Sequence, residues 1–165
     1  VNGARILLVE DDDVLRTLMM QNLSARHHIL SVAADAEEAL ELLRMHTFDL
    51  VILDINLPDL SGWDVLRIAK REGYLQPSCH DEHGEKFPVV MVSAVRVSLH
   101  RLAEFRPLAY LPKPFPMEAL LRFAVEAAQR KNAPDPAVEE VNGVATHATV
   151  LSHLRKENYD EHSAP

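Results

Sequence analysis

Five short apolar runs interrupt the chain, at residues 5–9, 28–33, 50–53, 89–92 and 109–111, and the stretches between them carry apolar residues at intervals of three and four. Short runs rich in Val, Ile and Leu predict strands buried on both faces, the usual state of a parallel sheet. The intervening periodicity predicts helices. The first, over 12–26, places Val14, Leu15, Leu18, Met19 and Leu23 at helical spacing, with acids at its start that suit a helix N-terminus. A second, over 36–45, gathers Ala39, Leu40, Leu42 and Leu43. A third begins at Trp63, carries Val65, Leu66, Ile68 and Ala69, and closes at Gly73. The fourth, over 98–106, holds Leu99, Leu102, Ala103 and Phe105 and stops at Pro107. Pro116 suits the first position of a fifth helix over 117–130, whose stripe is Leu120, Leu121, Ala124, Val125 and Ala128. Leu99, Leu102, Phe105 and the stripe of the fifth helix read as core.

Five strands alternating with five helices imply an α/β fold, a doubly wound parallel sheet with helices on both faces and right-handed crossovers. Residues 74–88 read as a polar loop, longer than the ~2–6 residues of most αβ connections. The domain expectation is one unit over 1–131, followed at 132–165 by a linker of Ala133-Pro-Asp-Pro136 type and an acidic tail that could form a docking or dimerising helix.

Composition narrows the class. With 165 residues, 47% of them hydrophobic and 25% charged, the chain can bury a sizeable core, and no apolar run reaches the ~20 residues of a membrane span. One cysteine and no signal-like start fit a cytoplasmic protein. A formal charge of −8, with no basic stripe, argues against a nucleic-acid surface.

Four of the five apolar runs lead into a group with chemistry of its own. Glu10 and Asp11 follow the first strand, Asp54 the third, Ser93 the fourth and Lys113 the fifth. Ligands bind outside the carboxyl ends of strands in open α/β sheets, so these groups converge. Three clustered carboxylates repel unless a cation sits among them, and Mg²⁺ prefers such oxygen ligands. A lysine beside them supplies the point charge that a phosphoryl group needs.

Ile6-Leu-Leu-Val-Glu10-Asp11-Asp12, Leu53-Asp54 with Pro58 and Gly62 downstream, Val92-Ser93-Ala94 and Tyr110-Leu-Pro-Lys113-Pro-Phe115 together resemble a receiver domain of the two-component response regulator family, over residues 5 to about 130. The resemblance implies a flavodoxin-like strand order, 2-1-3-4-5, of the chemotaxis-regulator kind. It implies that Asp54 accepts a phosphoryl group from a phosphohistidine on a sensor histidine kinase or phosphotransfer protein. Asp11 and Asp54 would bind Mg²⁺ directly, Glu10 through a water, and Asn56 through its backbone carbonyl. Lys113 and Ser93 would contact phosphoryl oxygens, and Tyr110 would turn inward on switching. The expected protein is a stand-alone switch, not a turnover enzyme, acting through a downstream protein target, with dimerisation through the fourth helix, the fifth strand and the fifth helix allowed by the resemblance.

Two other readings compete. A pseudo-receiver would bind partners without phosphorylation. A Mg²⁺-dependent phosphohydrolase with an Asp nucleophile would use two acids two residues apart after the first strand, a spacing that Glu10 and Asp12 have. Two segments depart from the family pattern, the long 74–88 loop and the short stretch from Ser93 to Tyr110. Cys79-His80-Asp-Glu-His83 could be read as metal ligands, but a solvated loop is the better expectation. Val95, two residues after Ser93, is placed to shield a phosphoryl group and predicts slow to moderate dephosphorylation.

Overall fold

The computed structural model describes residues 3–133. Its elements run β1 (Arg5–Val9), α1 (Asp13–Ser24), β2 (Ile29–Ala33), α2 (Ala36–Met45), β3 (Leu50–Asp54), α3 (Gly62–Arg71), β4 (Cys79–Asp81), β5 (Gly84–Ser93), α4 (Leu99–Phe105), β6 (Pro107–Pro112) and α5 (Met117–Asn132). The parallel strands lie in the order β2-β1-β3-β5-β6, which is the expected 2-1-3-4-5 when the parallel strands alone are numbered. The linker and the acidic tail with a docking or dimerising helix, expected at 132–165, lie beyond Ala133 outside the described residues.

Strands buried on both faces need apolar side chains at successive positions, and β1, β3 and β5 supply them. Leu7, Val9, Val51, Leu53, Val89 and Met91 face one layer, where Trp63, Leu66 and Phe105 cover them. Ile6, Leu8, Leu50, Ile52, Val90 and Val92 face the other, under Met19, Leu23, Leu120 and Ala124. Consecutive residues thus feed two separate cores.

Helix starts follow the capping rule. Asp12, Asp35, Ser61 and Ser98 each accept a backbone N–H three residues on. Glu38 also reaches back to the N–H of Ala34, the residue before the cap, at 3.0 Å, a variant of the capping box at α2. At the end of α3, Gly73 adopts φ +74°, which glycine tolerates without strain. The Gly73 and Tyr74 amides there close on the carbonyls of Lys70 and Ala69 at 3.2 and 2.8 Å.

The structure departs from the sequence reading in two elements and in the burial of two residues read as core, Leu99 and Val125. The 74–88 segment is not simply a polar loop: β4 pairs antiparallel with the first residues of β5, Cys79 opposite Lys86 and Asp81 opposite Gly84. Arg106 locks this hairpin, bonding the carbonyls of Gly84 (3.1 Å) and Glu85 (2.9 Å) and pairing with the Asp81 carboxylate. The fifth parallel strand is longer than 109–111 because Pro107 and Leu108 continue along β5. Leu99 is not core. It is 84% exposed, since the seven-residue α4 turns Leu102 and Phe105 toward the core, Phe105 against Trp63, and leaves its first residue outside. Val125 of the α5 stripe is likewise exposed, as are Val14 and Leu18 of α1.

Candidate functional site

The carboxyl ends of β1, β3, β5 and β6 bring the charged groups together. Strand β3 ends on Asp54, which is 4% exposed, and β1 leads directly into Glu10, which is 1% exposed. Lys113 Nζ donates to Asp54 Oδ2 at 2.7 Å and to both Glu10 oxygens at 2.9 and 3.1 Å. Asp11 stands exposed at the rim, and Glu10, Asp11 and Asp54 each offer an oxygen, all within 4.8 Å of one another. Among the described residues no other such group of three potential metal ligands occurs, so Cys79, His80 and His83 form none.

Backbone geometry fixes each member. Arg16 donates to the carbonyls of Glu10 (2.8 Å) and Asp11 (3.3 Å), shaping the turn between β1 and α1. The Asn56 amide donates to Asp54 Oδ1 at 2.9 Å, so both Asp54 oxygens are engaged. Asn56 itself is exposed in the turn that follows. Gly62 closes that turn, and a Cβ there would lie 2.3 Å from the Asp54 carbonyl oxygen. The sequence marked Gly62 as a turn former; its closer role is to let α3 approach the backbone of Asp54.

Ser93 is fully buried, and its Oγ accepts the Val95 N–H at 3.1 Å. Its carbonyl accepts the Lys113 N–H at 2.8 Å, which ties β5 to the lysine loop, where the Lys113–Pro114 peptide is cis. Tyr110 lies apart from the carboxylates. It is half-buried, and its hydroxyl donates to the Val95 carbonyl at 2.9 Å.

Electrostatics follow from this packing. Burial pushes Glu10 up to about 7, with the Asp54 charge adding to the rise and the Lys113 hydrogen bonds opposing it. Burial disfavours the Lys113 ammonium, but hydrogen bonds to Asp54 and Glu10 outweigh it and hold its pKa above the ordinary lysine value. A dense anionic site with one compensating lysine suits a small hard cation.

Sequence reading missed Asp59. From the loop after Asp54 its carboxylate spans the first amides of α2, accepting Ala36 N–H and Glu37 N–H at 2.9 Å each. The only signal was an acid in a turn, which does not say which distant helix it caps.

Fold and site together define a doubly wound α/β domain whose strand ends present carboxylates and a lysine to one small crevice. The chain belongs to the response regulator receiver domain family, whose model matches residues 6–125. The response regulator MprA of Mycobacterium leprae is 32% identical over 139 residues, covering 83% of this chain and 56% of that protein. The chain therefore spans little more than half the length of that curated relative. Among solved structures, the non-phosphorylated HemR receiver domain of Leptospira biflexa matches with a TM-score of 0.61 at 30% identity, over 80% of this chain and 97% of that one. The response regulator protein TrrA of Thermotoga maritima, in complex with Mg²⁺-BeF, matches with a TM-score of 0.60 at 24% identity over 74% and 97%, a likeness of fold. No helix among the described residues is long and apolar enough to cross a membrane.

Proposed function

We propose that this receiver is operated by phosphorylation of Asp54. One observation carries the reading: Lys113 Nζ bridges Asp54 and Glu10 while Asp11 contributes an oxygen to the same cluster. An Asp54 oxygen attacks the phosphorus of a phosphohistidine on a partner kinase or phosphotransfer protein. A P–O bond forms, the P–N bond breaks, and its electron pair returns to the imidazole, which takes up a proton. Lys113 moves its charge onto a phosphoryl oxygen, and Ser93 Oγ exchanges the Val95 amide for another oxygen.

The residues fit Mg²⁺, because three carboxylates crowd a site that holds one lysine. Asp11 and Asp54 would hold the ion directly, Glu10 through a water, and Asn56 through its carbonyl. Bound there, it neutralises charge so that one anion can approach another.

Movement of Ser93 pulls on Val95, and Val95 also holds the Tyr110 hydroxyl. Phosphorylation is thereby coupled to the face formed by α4 and β6, a local charge event with a conformational readout. The protein is a single-turnover switch that changes protein contacts rather than an enzyme of repeated turnover. Glu10 and Asp12 do not favour a phosphohydrolase, since Glu10 is buried against Lys113 and Asp12 caps α1.

Intact mass after incubation with acetyl phosphate and Mg²⁺ tests this. One phosphoryl adduct is expected, absent from Asp54→Asn and from a chelated control. No adduct, or one indifferent to Asp54, overturns the reading.

A further inference from the structure

At the end of the sheet opposite Asp54, the segment that leaves α3 for β4 walls off a second cleft against the end of α5, with a volume of about 290 Å³. That lies near the lower end of the roughly 300–1,000 Å³ of small-molecule sites. Phe48, Leu75, Pro77, Pro88 and Ala127 supply the apolar part of its lining, beside polar Thr47, Gln76 and Ser78, with Arg130 and Lys131 at the α5 side. The segment 74–78 belongs to the stretch in which this chain exceeds the family pattern, so the wall is a local elaboration.

The charges are unevenly settled. Asp49, also on the lining, accepts the Arg5 N–H at 2.7 Å and pairs with Lys131 at 3.5 Å, so its charge is balanced within the protein. Arg130 is half-buried on the cleft lining and has no ion pair among the described residues; its Nη2 is buried without an acceptor, while the rest of the side chain borders the cleft. A buried guanidinium nitrogen left unbonded is costly and calls for an acceptor. A carboxylate matches the guanidinium fork in shape and charge. A flat hydrocarbon ring beside the carboxylate would lie among Phe48, Pro77 and Pro88, apolar surface that a bare inorganic anion would leave uncovered.

The geometry points to a binding site for a small aromatic carboxylate, built from the α3–β4 connection and the end of α5, with Arg130 as the residue that reads the carboxylate. The site is independent of Asp54 chemistry. The test is titration of the full chain with benzoate, followed by ¹⁵N–¹H spectra, with the uncharged benzamide alongside. Saturable shifts at Gln76, Ser78 and Ala127 are expected with benzoate. Benzamide and Arg130→Gln should each weaken binding by about 10-fold or more, the scale of a lost charge-assisted hydrogen bond, and Arg130→Lys should fall between. No saturable shift, equal response to benzamide, or undiminished binding by a folded Arg130→Gln overturns the proposal. So does movement of the same signals with protein concentration alone, which would make the cleft a contact between copies of this chain. The comparison of benzoate with benzamide decides the matter on the unmodified protein should Arg130→Gln fail to fold.

Discussion

Glu10 is the residue whose surroundings constrain the site most tightly. Its carboxyl is buried, bonded to Lys113 and close to Asp54, and its pKa is raised to about 7. A cation binding in this crevice favours the deprotonated form, so below pH 7 it must displace a proton from Glu10. Mg²⁺ affinity is therefore expected to fall as pH drops from 8 toward 5, with proton release on binding. Glu10→Gln should flatten that dependence above pH 5. Calorimetry in buffers of different ionisation enthalpy reads both effects, and an unchanged pH slope in Glu10→Gln would remove Glu10 from the account. Val95 is a second pivot, because its amide serves Ser93 and its carbonyl serves Tyr110 while the residue as a whole is 54% exposed. If its side chain shields the phosphoryl group, Val95→Ala should speed decay of the phosphorylated form; an unchanged lifetime in a mass time course would refute the shielding role.

At the scale of elements, the turn after β3 is held from two sides, by Gly62 against Asp54 and by Asp59 on α2. Asp59→Ala leaves two amides of α2 without their acceptor, and the loss expected for such a cap is about 1 kcal/mol. Urea unfolding should show it as a lower midpoint with unchanged slope; a midpoint equal to that of the parent would mean water replaces the carboxylate at no cost. These ties also mark where sequence reading stops. The strand ends were legible at Glu10, Asp54, Ser93 and Lys113 because each apolar run breaks on a polar group, a local signal. Hairpin β4–β5 was not, since Cys79-His80-Asp81 has little strand propensity and is held by Arg106, over twenty residues away. Exposure of Leu99, Leu18 and Val14 was hidden for a related reason: periodicity gives the stripe, but only tertiary packing decides how much of it is covered.

At the scale of the whole molecule, stability against pH is set by groups that pull in opposite directions. His28 is buried between β2 and the start of β1, accepting the Ala4 N–H on Nδ1 at 3.1 Å, with Nε2 buried and unpartnered. Burial, helped by the Arg26 charge, lowers its pKa below 6.5, so the folded protein resists a proton that the unfolded chain accepts. Its contribution is present above pH 6.5 and is lost as pH falls through the lower folded value. Glu10 has the opposite sign in the absence of a divalent cation. Its folded pKa of about 7 exceeds the ordinary 4.5, so its burial costs least below pH 4.5 and most above 7. Asp59, Asp64 and Asp81 are all held below the ordinary carboxylate value: Asp59 by backbone amides against the cost of burial, Asp64 chiefly by Ser61 and Arg67, and Asp81 by the His83 amide, Lys86 and Arg106. Their stabilisation is present above about pH 4 and fails below it. The urea midpoint in chelator should accordingly carry one falling and one rising contribution as pH drops from 7 to 4.5, and drop steeply under 4. Glu10→Gln should expose the His28 loss as a midpoint falling from pH 6.5 downward, and His28→Gln should expose the Glu10 gain as a midpoint rising over the same interval. Parallel profiles for the two variants would show that neither group sets the pH response in this interval.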